Sequence, residues 1–193
     1  MRSRSVFERY RERLNVLVEK SWSRKIIDMA VQRWPDWDHS FVWKRSFGRL
    51  DPGGSPYAAI LYEHPQCSRN ICFVEIFDDQ PLADRKTIQY FDSSLGWLQL
   101  RRFPDDPCLT KLAGVLEDVE DLEVLRYRPY KRCTFRVSKS NRSGQVFGKM
   151  FADKRGEQIY RESIALWEAA NDGQLQFAVA EPMAWDPSTD TLW

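Results

Sequence analysis

Between Phe41 and Phe77 the chain runs through three short apolar segments, FVWKRSF, YAAILYE and ICFVEIF, separated by DPGGSP and HPQCSRN. Segments this short, rich in aromatic and β-branched residues and bounded by Pro, Gly, Asn and Ser, cannot build the long apolar stripe of a buried helix. They make strands joined by turns. The stretch therefore predicts an antiparallel meander, and a further strand is expected from Leu95 to Arg101.

Upstream, the period changes. From Val6 the residues Phe7, Tyr10, Leu14, Leu17 and Ser21 fall three and four apart with Arg and Glu between them, the spacing of an amphipathic helix whose aromatic stripe packs into a core. A second helical stretch, Arg24 to Trp34, is stopped by Pro35. After the strands, FPDDPCLTKLAGVLED reads as a loop and a short helix, with Asp106 as N-cap and Pro107 in its first turn. A core of ordinary size follows from 193 residues, 42% of them hydrophobic, without need of disulfide staples.

The sharpest shift in composition comes next. The acidic run Glu117, Asp118, Glu120, Asp121 and Glu123 gives way to residues 126–155, which hold ten Lys and Arg against one acid, Asp153. A domain boundary is expected just before this shift, with residues 1–115 as one region and 116–193 as the other. Within the second region EVLRYR and TFRVS read as strands joined by the tight connection Pro129-Tyr130-Lys131-Arg132. SKSNRSG is a turn, QVFGKMF a third strand, and Glu157 to Ala170 a helix with Tyr160, Ile164 and Trp167 along one face. LQFAVA and PMAWD read as further strands. The fold class is thus α+β: N-terminal helices and a meander, then an antiparallel sheet with one packed helix.

That order of strand, strand, strand, helix, strand is how the small lobe of protein-kinase-like folds is built. The hairpin VLRYRPYKRCTFRV, then VFGKMF, a helix ending ALW, and EPMAWDP resemble the aminoglycoside phosphotransferase family over about residues 122–193. The resemblance implies an ATP-binding small lobe of a small-molecule kinase. It matches Lys149 to the third-strand lysine that contacts the α- and β-phosphates, a task suited to a flexible point charge. It matches Glu162, or else Glu157, to the helix glutamate that orients this lysine. Phe147, two residues before Lys149 and so on the same strand face, takes the place of an aromatic residue that stacks on adenine; burial in a core is its competing reading. The connection PYKR occupies the place of the phosphate-covering loop, but holds no glycine, so Lys131 and Arg132 are the expected phosphate donors there. The competing reading of each of these charged residues is an ordinary solvated strand, helix or turn position.

Phosphoryl transfer also needs a base and Mg²⁺ ligands, which kinase-like enzymes hold on a large lobe. The family signature is a His two residues before an Asp, yet His39 is followed by Ser40-Phe41 and His64 by Pro65-Gln66. The chain is therefore expected to bind nucleotide without transferring phosphate, as the N-terminal piece of a longer or split product whose large lobe is missing or separately encoded, the alternative being a degenerate relative that keeps the lobe for another purpose. The region 1–115 then reads as a cap or regulatory addition. Two other classes compete: a nucleic-acid-binding module, with Tyr127, Tyr130 and Phe135 interleaved among the basic residues, and a protein-interaction subunit with an apolar edge. Net charge of +1 favours neither nucleic acid nor an anionic membrane. The four cysteines show no C-x-x-C spacing, which predicts reduced thiols rather than a zinc cluster. With no apolar run of membrane-span length and no signal-like N-terminus, a cytoplasmic location is expected.

Overall fold

A computed structural model describes residues 6–49, 57–82, 84–117, 121–138 and 145–193. The turn DPGGSP, residues 139–144 of SKSNRSG, and Asp118 and Glu120 of the acidic run lie outside them. Among the described residues there are four helices and two antiparallel five-stranded sheets, so the chain is α+β. It divides into two compact units, Met1–Phe103 and Pro104–Trp193. The boundary expected at 115/116 therefore moves upstream. The loop around Asp106 and the short helix after it belong to the second unit, where Asp106 accepts from Tyr127 and Tyr130 and Lys111 pairs with Asp190.

The first unit opens with α1 (Val6–Leu17) and α2 (Lys20–Arg33). The second helix starts four residues before the expected Arg24 and ends ahead of Pro35. Its sheet contains β1 (Val42–Arg49), β2 (Tyr57–His64), β3 (Cys67–Phe77), β4 (Thr87–Asp92) and β5 (Gly96–Arg102), in spatial order β1-β2-β3-β5-β4. The expected meander is β1 to β3, and the expected strand near Leu95 is β5. The edge strand β4 escaped the sequence reading.

Strand alternation sends Ala58, Ile60, Tyr62, Cys72, Val74, Ile76, Leu98 and Leu100 to one face. There they form a single cluster with Tyr10, Leu17, Ile26, Ile27 and Ala30 of the two helices. The Tyr62 hydroxyl donates to the Leu17 carbonyl at 2.9 Å, satisfying a backbone acceptor left over at the end of α1. Burial pushes this phenol up to about 12.

The second unit contains α3 (Leu112–Glu117), β6 (Leu122–Arg128), β7 (Arg132–Ser138), β8 (Gln145–Phe151), α4 (Arg155–Asn171), β9 (Trp185–Asp186) and β10 (Thr191–Leu192). Its sheet order is β6-β7-β8-β10-β9. The last strand thus inserts beside β8, and the chain reverses after β9 through a turn in which the Asp186 carboxylate accepts from Ser188 and Thr189. LQFAVA is not a strand: residues 175–180 find no ladder partner, since β10 takes the place beside β8, and Phe177 is left 64% exposed.

One face of this sheet is core, lined by Leu122, Val124, Cys133, Phe135, Val137 and Met150. Gly148 pairs with Phe135 across the strands, and a Cβ at 148 would lie 2.1 Å from the Phe135 ring, so the ring occupies space that any larger residue would need. The opposite face receives the first turn of α4. A Cβ at Gly156 would meet Trp185 at 2.3 Å and Phe151 at 3.0 Å, so helix and sheet approach closely there.

Candidate functional site

Lys149 lies on β8, between β7 and β10, on the face away from the core. Its register partners are Thr134 on β7 and Leu192 on β10, and Thr134 in turn faces Arg126 on β6. Directly opposed residues of antiparallel strands share a face, so Arg126, Thr134 and Lys149 form one row across three strands. Arg132 stands two residues from Thr134 on the same face of β7. The Lys149 ammonium sits 5.0 Å from the centroid of the Phe151 ring. Its pKa is lowered, first by burial and then by the like charges of Arg132 and Arg126. Among the described residues no carboxylate pairs with Lys149, Arg126 or Arg132.

Arg126 reaches this face through an irregularity. Strict alternation from Leu122 and Val124 would turn Arg126 toward the core. The register shifts between Val124 and Arg126, leaving Leu125 and Arg126 both exposed and returning Tyr127 to the core. In the sequence Arg126 is one of the basic residues of 126–155, and the bulge that exposes it beside Leu125 is a feature of the folded ladder.

The other expected residues fall in different places. Phe147 is 52% exposed and shares the face of Lys149, as alternation required. Glu162 is exposed and accepts a hydrogen bond from Gln158 at 2.8 Å, while Glu157 pairs with Arg161 at 2.6 Å. Neither carboxylate meets Lys149. The half-buried positions of α4 are 159, 160, 163, 164, 167, 169 and 170, and at 3.6 residues per turn the stripe through 159, 160, 163, 164 and 167 leaves 157, 158, 161 and 162 facing outward. Lys131 lies near Asp153, whose carboxyl is held below its usual value mainly by the Arg155 hydrogen bond and further by the Lys131 charge.

The hairpin turn between β6 and β7 is held without glycine. The Lys131 N–H donates to the Arg128 carbonyl at 3.1 Å, and Tyr130 adopts φ 61°, a region that favours glycine. The cause is Asp106. One of its oxygens accepts from the Tyr130 N–H at 2.8 Å and the Tyr127 hydroxyl at 2.7 Å, and the other from the Cys108 and Leu109 amides at 2.8 and 3.0 Å. Asp106 is thus not the cap of α3, which begins only at Leu112; it ties the preceding loop to the hairpin. Tyr127 and Phe135 are 3% and 0% exposed, which removes two of the three aromatic rings expected to stack on nucleic-acid bases.

All four cysteines are free, and burial pushes the thiols of Cys72 and Cys133 upward, which makes them poor nucleophiles. Among the described residues no group of His, Cys, Asp and Glu could hold a metal ion, and no helix is long and apolar enough to cross a membrane. No protein-family model, curated protein or solved structure matches the chain.

Proposed function

We propose that the second unit binds ATP through its phosphates, as the small lobe of an aminoglycoside-phosphotransferase-like kinase. The observation that carries this reading is Lys149: a part-buried ammonium on an interior strand, crowded by Arg132 and Arg126 and lacking a carboxylate partner among the described residues. Keeping like charges together with no counter-ion of their own costs stability, and a phosphate offsets that cost. The exposed Phe147 ring lies on the same face, about 7 Å away along the strand, room for a ribose between stacked base and bound phosphate. The charged residues around Thr134 are Arg126, Arg132 and Lys149, cations that suit phosphate oxygens and not Mg²⁺. A nucleotide-borne Mg²⁺ would need its carboxylate ligands from elsewhere, and with no His-x-Asp in the sequence the chain alone is expected to transfer no phosphate.

Calorimetric titration of ATP into the wild type and Lys149→Ala tests the reading. Loss of binding by roughly tenfold or more in the variant supports it. Equal affinities, or no binding to a folded wild type, overturn it. The competing nucleic-acid reading rests on the same basic face and predicts binding to single-stranded RNA that falls steeply with salt. The burial of Tyr127 and Phe135 counts against it, because stacking platforms must be open to the bases.

A further inference from the structure

We propose that Arg126, Arg132, Thr134 and Lys149 form one site for a chain of linked phosphates, in which Arg126 holds a second phosphate beyond the one met by Lys149. This rests on the nucleotide reading above and deepens it, by adding Arg126 and Thr134, which the resemblance does not supply, and by naming the part of the ligand they recognise.

The argument is geometric. Adjacent strands lie about 4.8 Å apart, so the backbones of Arg126 and Lys149, two strands removed in register, are separated by roughly 10 Å with Thr134 midway. Arg132 is displaced by two residues along β7, about 7 Å. The three cations therefore stand at the corners of a triangle with Thr134 midway along its Arg126–Lys149 side, and their side chains are long enough to converge beside the Thr134 hydroxyl. One phosphate has little use for three cationic heads spread over this width. A di- or triphosphate, with its charge distributed along a chain, meets all three.

Charge on the surrounding surface sharpens the point. Elsewhere in this unit Lys111 pairs with Asp190, Arg136 with Glu123, Arg155 with Asp153 and Arg161 with Glu157. Glu123, on the next row of the same face, is thus already engaged by Arg136. The row through Thr134 is left with its positive charge and with a hydroxyl that has no partner among the described residues. A threonine hydroxyl donates to a phosphate oxygen as readily as it accepts, and at this position it would hold the bridging region of the ligand. The bulge at Leu125 is what brings Arg126 into the triangle, so the site depends on an irregularity in β6 that a regular strand would not provide.

The test uses the full chain at fixed ionic strength, with ATP, AMP and inorganic tripolyphosphate as probes. The variants are Arg126→Ala, Arg126→Gln, Thr134→Val and Lys149→Ala, with circular dichroism to establish that each folds. Arg126→Ala and Arg126→Gln are expected to weaken ATP and tripolyphosphate by roughly tenfold, since a charged hydrogen bond is lost, and to change AMP affinity by less than about twofold. Thr134→Val is expected to weaken the same two ligands by a smaller factor, about threefold. If ATP binds and Lys149→Ala abolishes it while folded Arg126 variants bind normally, the triangle is refuted and the nucleotide reading survives. If tripolyphosphate binds as tightly as ATP and depends on Arg126, the triangle survives and adenine recognition falls. A wild type that binds neither ligand refutes both, and an RNA strand bound more tightly than tripolyphosphate at equal charge refutes the triangle as a polyphosphate site.

Discussion

The two sheets of this protein share a strand order. In each, three consecutive strands form a meander, the fourth sits at the far edge, and the fifth inserts between third and fourth. What differs is the fate of charge on the face opposite the main core. In the first sheet Arg101 lies among its own counter-charges: its guanidinium donates to Glu75 at 3.2 Å, Asp84 at 2.7 Å and Gln99 at 3.2 Å, and Glu75 is 2% exposed. In the second, Lys149 stands among cations. A row that carries both signs is neutralised within the fold, whereas the row of Arg126, Thr134 and Lys149 keeps its positive charge; that difference is what the proposed phosphate site rests on.

Three substitutions press on this contrast. The largest effect is expected at Arg101→Ala, which breaks the ion pair with the buried Glu75; we expect a loss of roughly 3 kcal/mol in chemical denaturation, and a loss below about 1 kcal/mol would erase the claimed distinction. Gly148→Ala comes next, because its methyl group would collide with the Phe135 ring that floors the second sheet. A cost of about 2 kcal/mol is expected, together with weaker ATP binding, as β8 must shift and carry Lys149 with it. The smallest effect on stability, within about 0.5 kcal/mol and in the stabilising direction, is expected for Lys149→Met, which relieves repulsion on a partly solvated face. pH provides a second reading of that variant. A lysine whose pKa is lowered on folding binds fewer protons in the native state than unfolded. Wild-type stability should therefore rise with pH just below the ordinary lysine value of 10.5, and Lys149→Met should lack the rise. A Met variant that is clearly destabilised would mean Lys149 has a partner that matters to the fold.

Much of the site's framework could be read in the residues. The hairpin around PYKR, the strand QVFGKMF, the shared face of Phe147 and Lys149 and the helix after ADKRG all follow from period and turn chemistry, which act over a few neighbouring positions. Arg126 did not follow, because a bulge reverses the alternation on which any reading of faces depends. The stripe of Tyr160, Ile164 and Trp167 on α4 was legible too, but the partner of Glu162 was not: it lies outside that stripe and accepts from Gln158 on its own helix. Asp106 carried the signature of a cap but is used by a hairpin more than twenty residues away.

The same division runs through the whole chain. Helix and strand periods, the stop at Pro35 and the concentration of positive charge after residue 125 are properties of adjacent residues, so the chain carries them before it folds. Which segment becomes the fifth strand, why LQFAVA stays unpaired, where the boundary between the units falls and which cations end up side by side depend on segments distant in sequence competing for one ladder or one buried contact. Hydrogen bonds between strands have no sequence address until both partners are in place, and only the folded chain settles that competition.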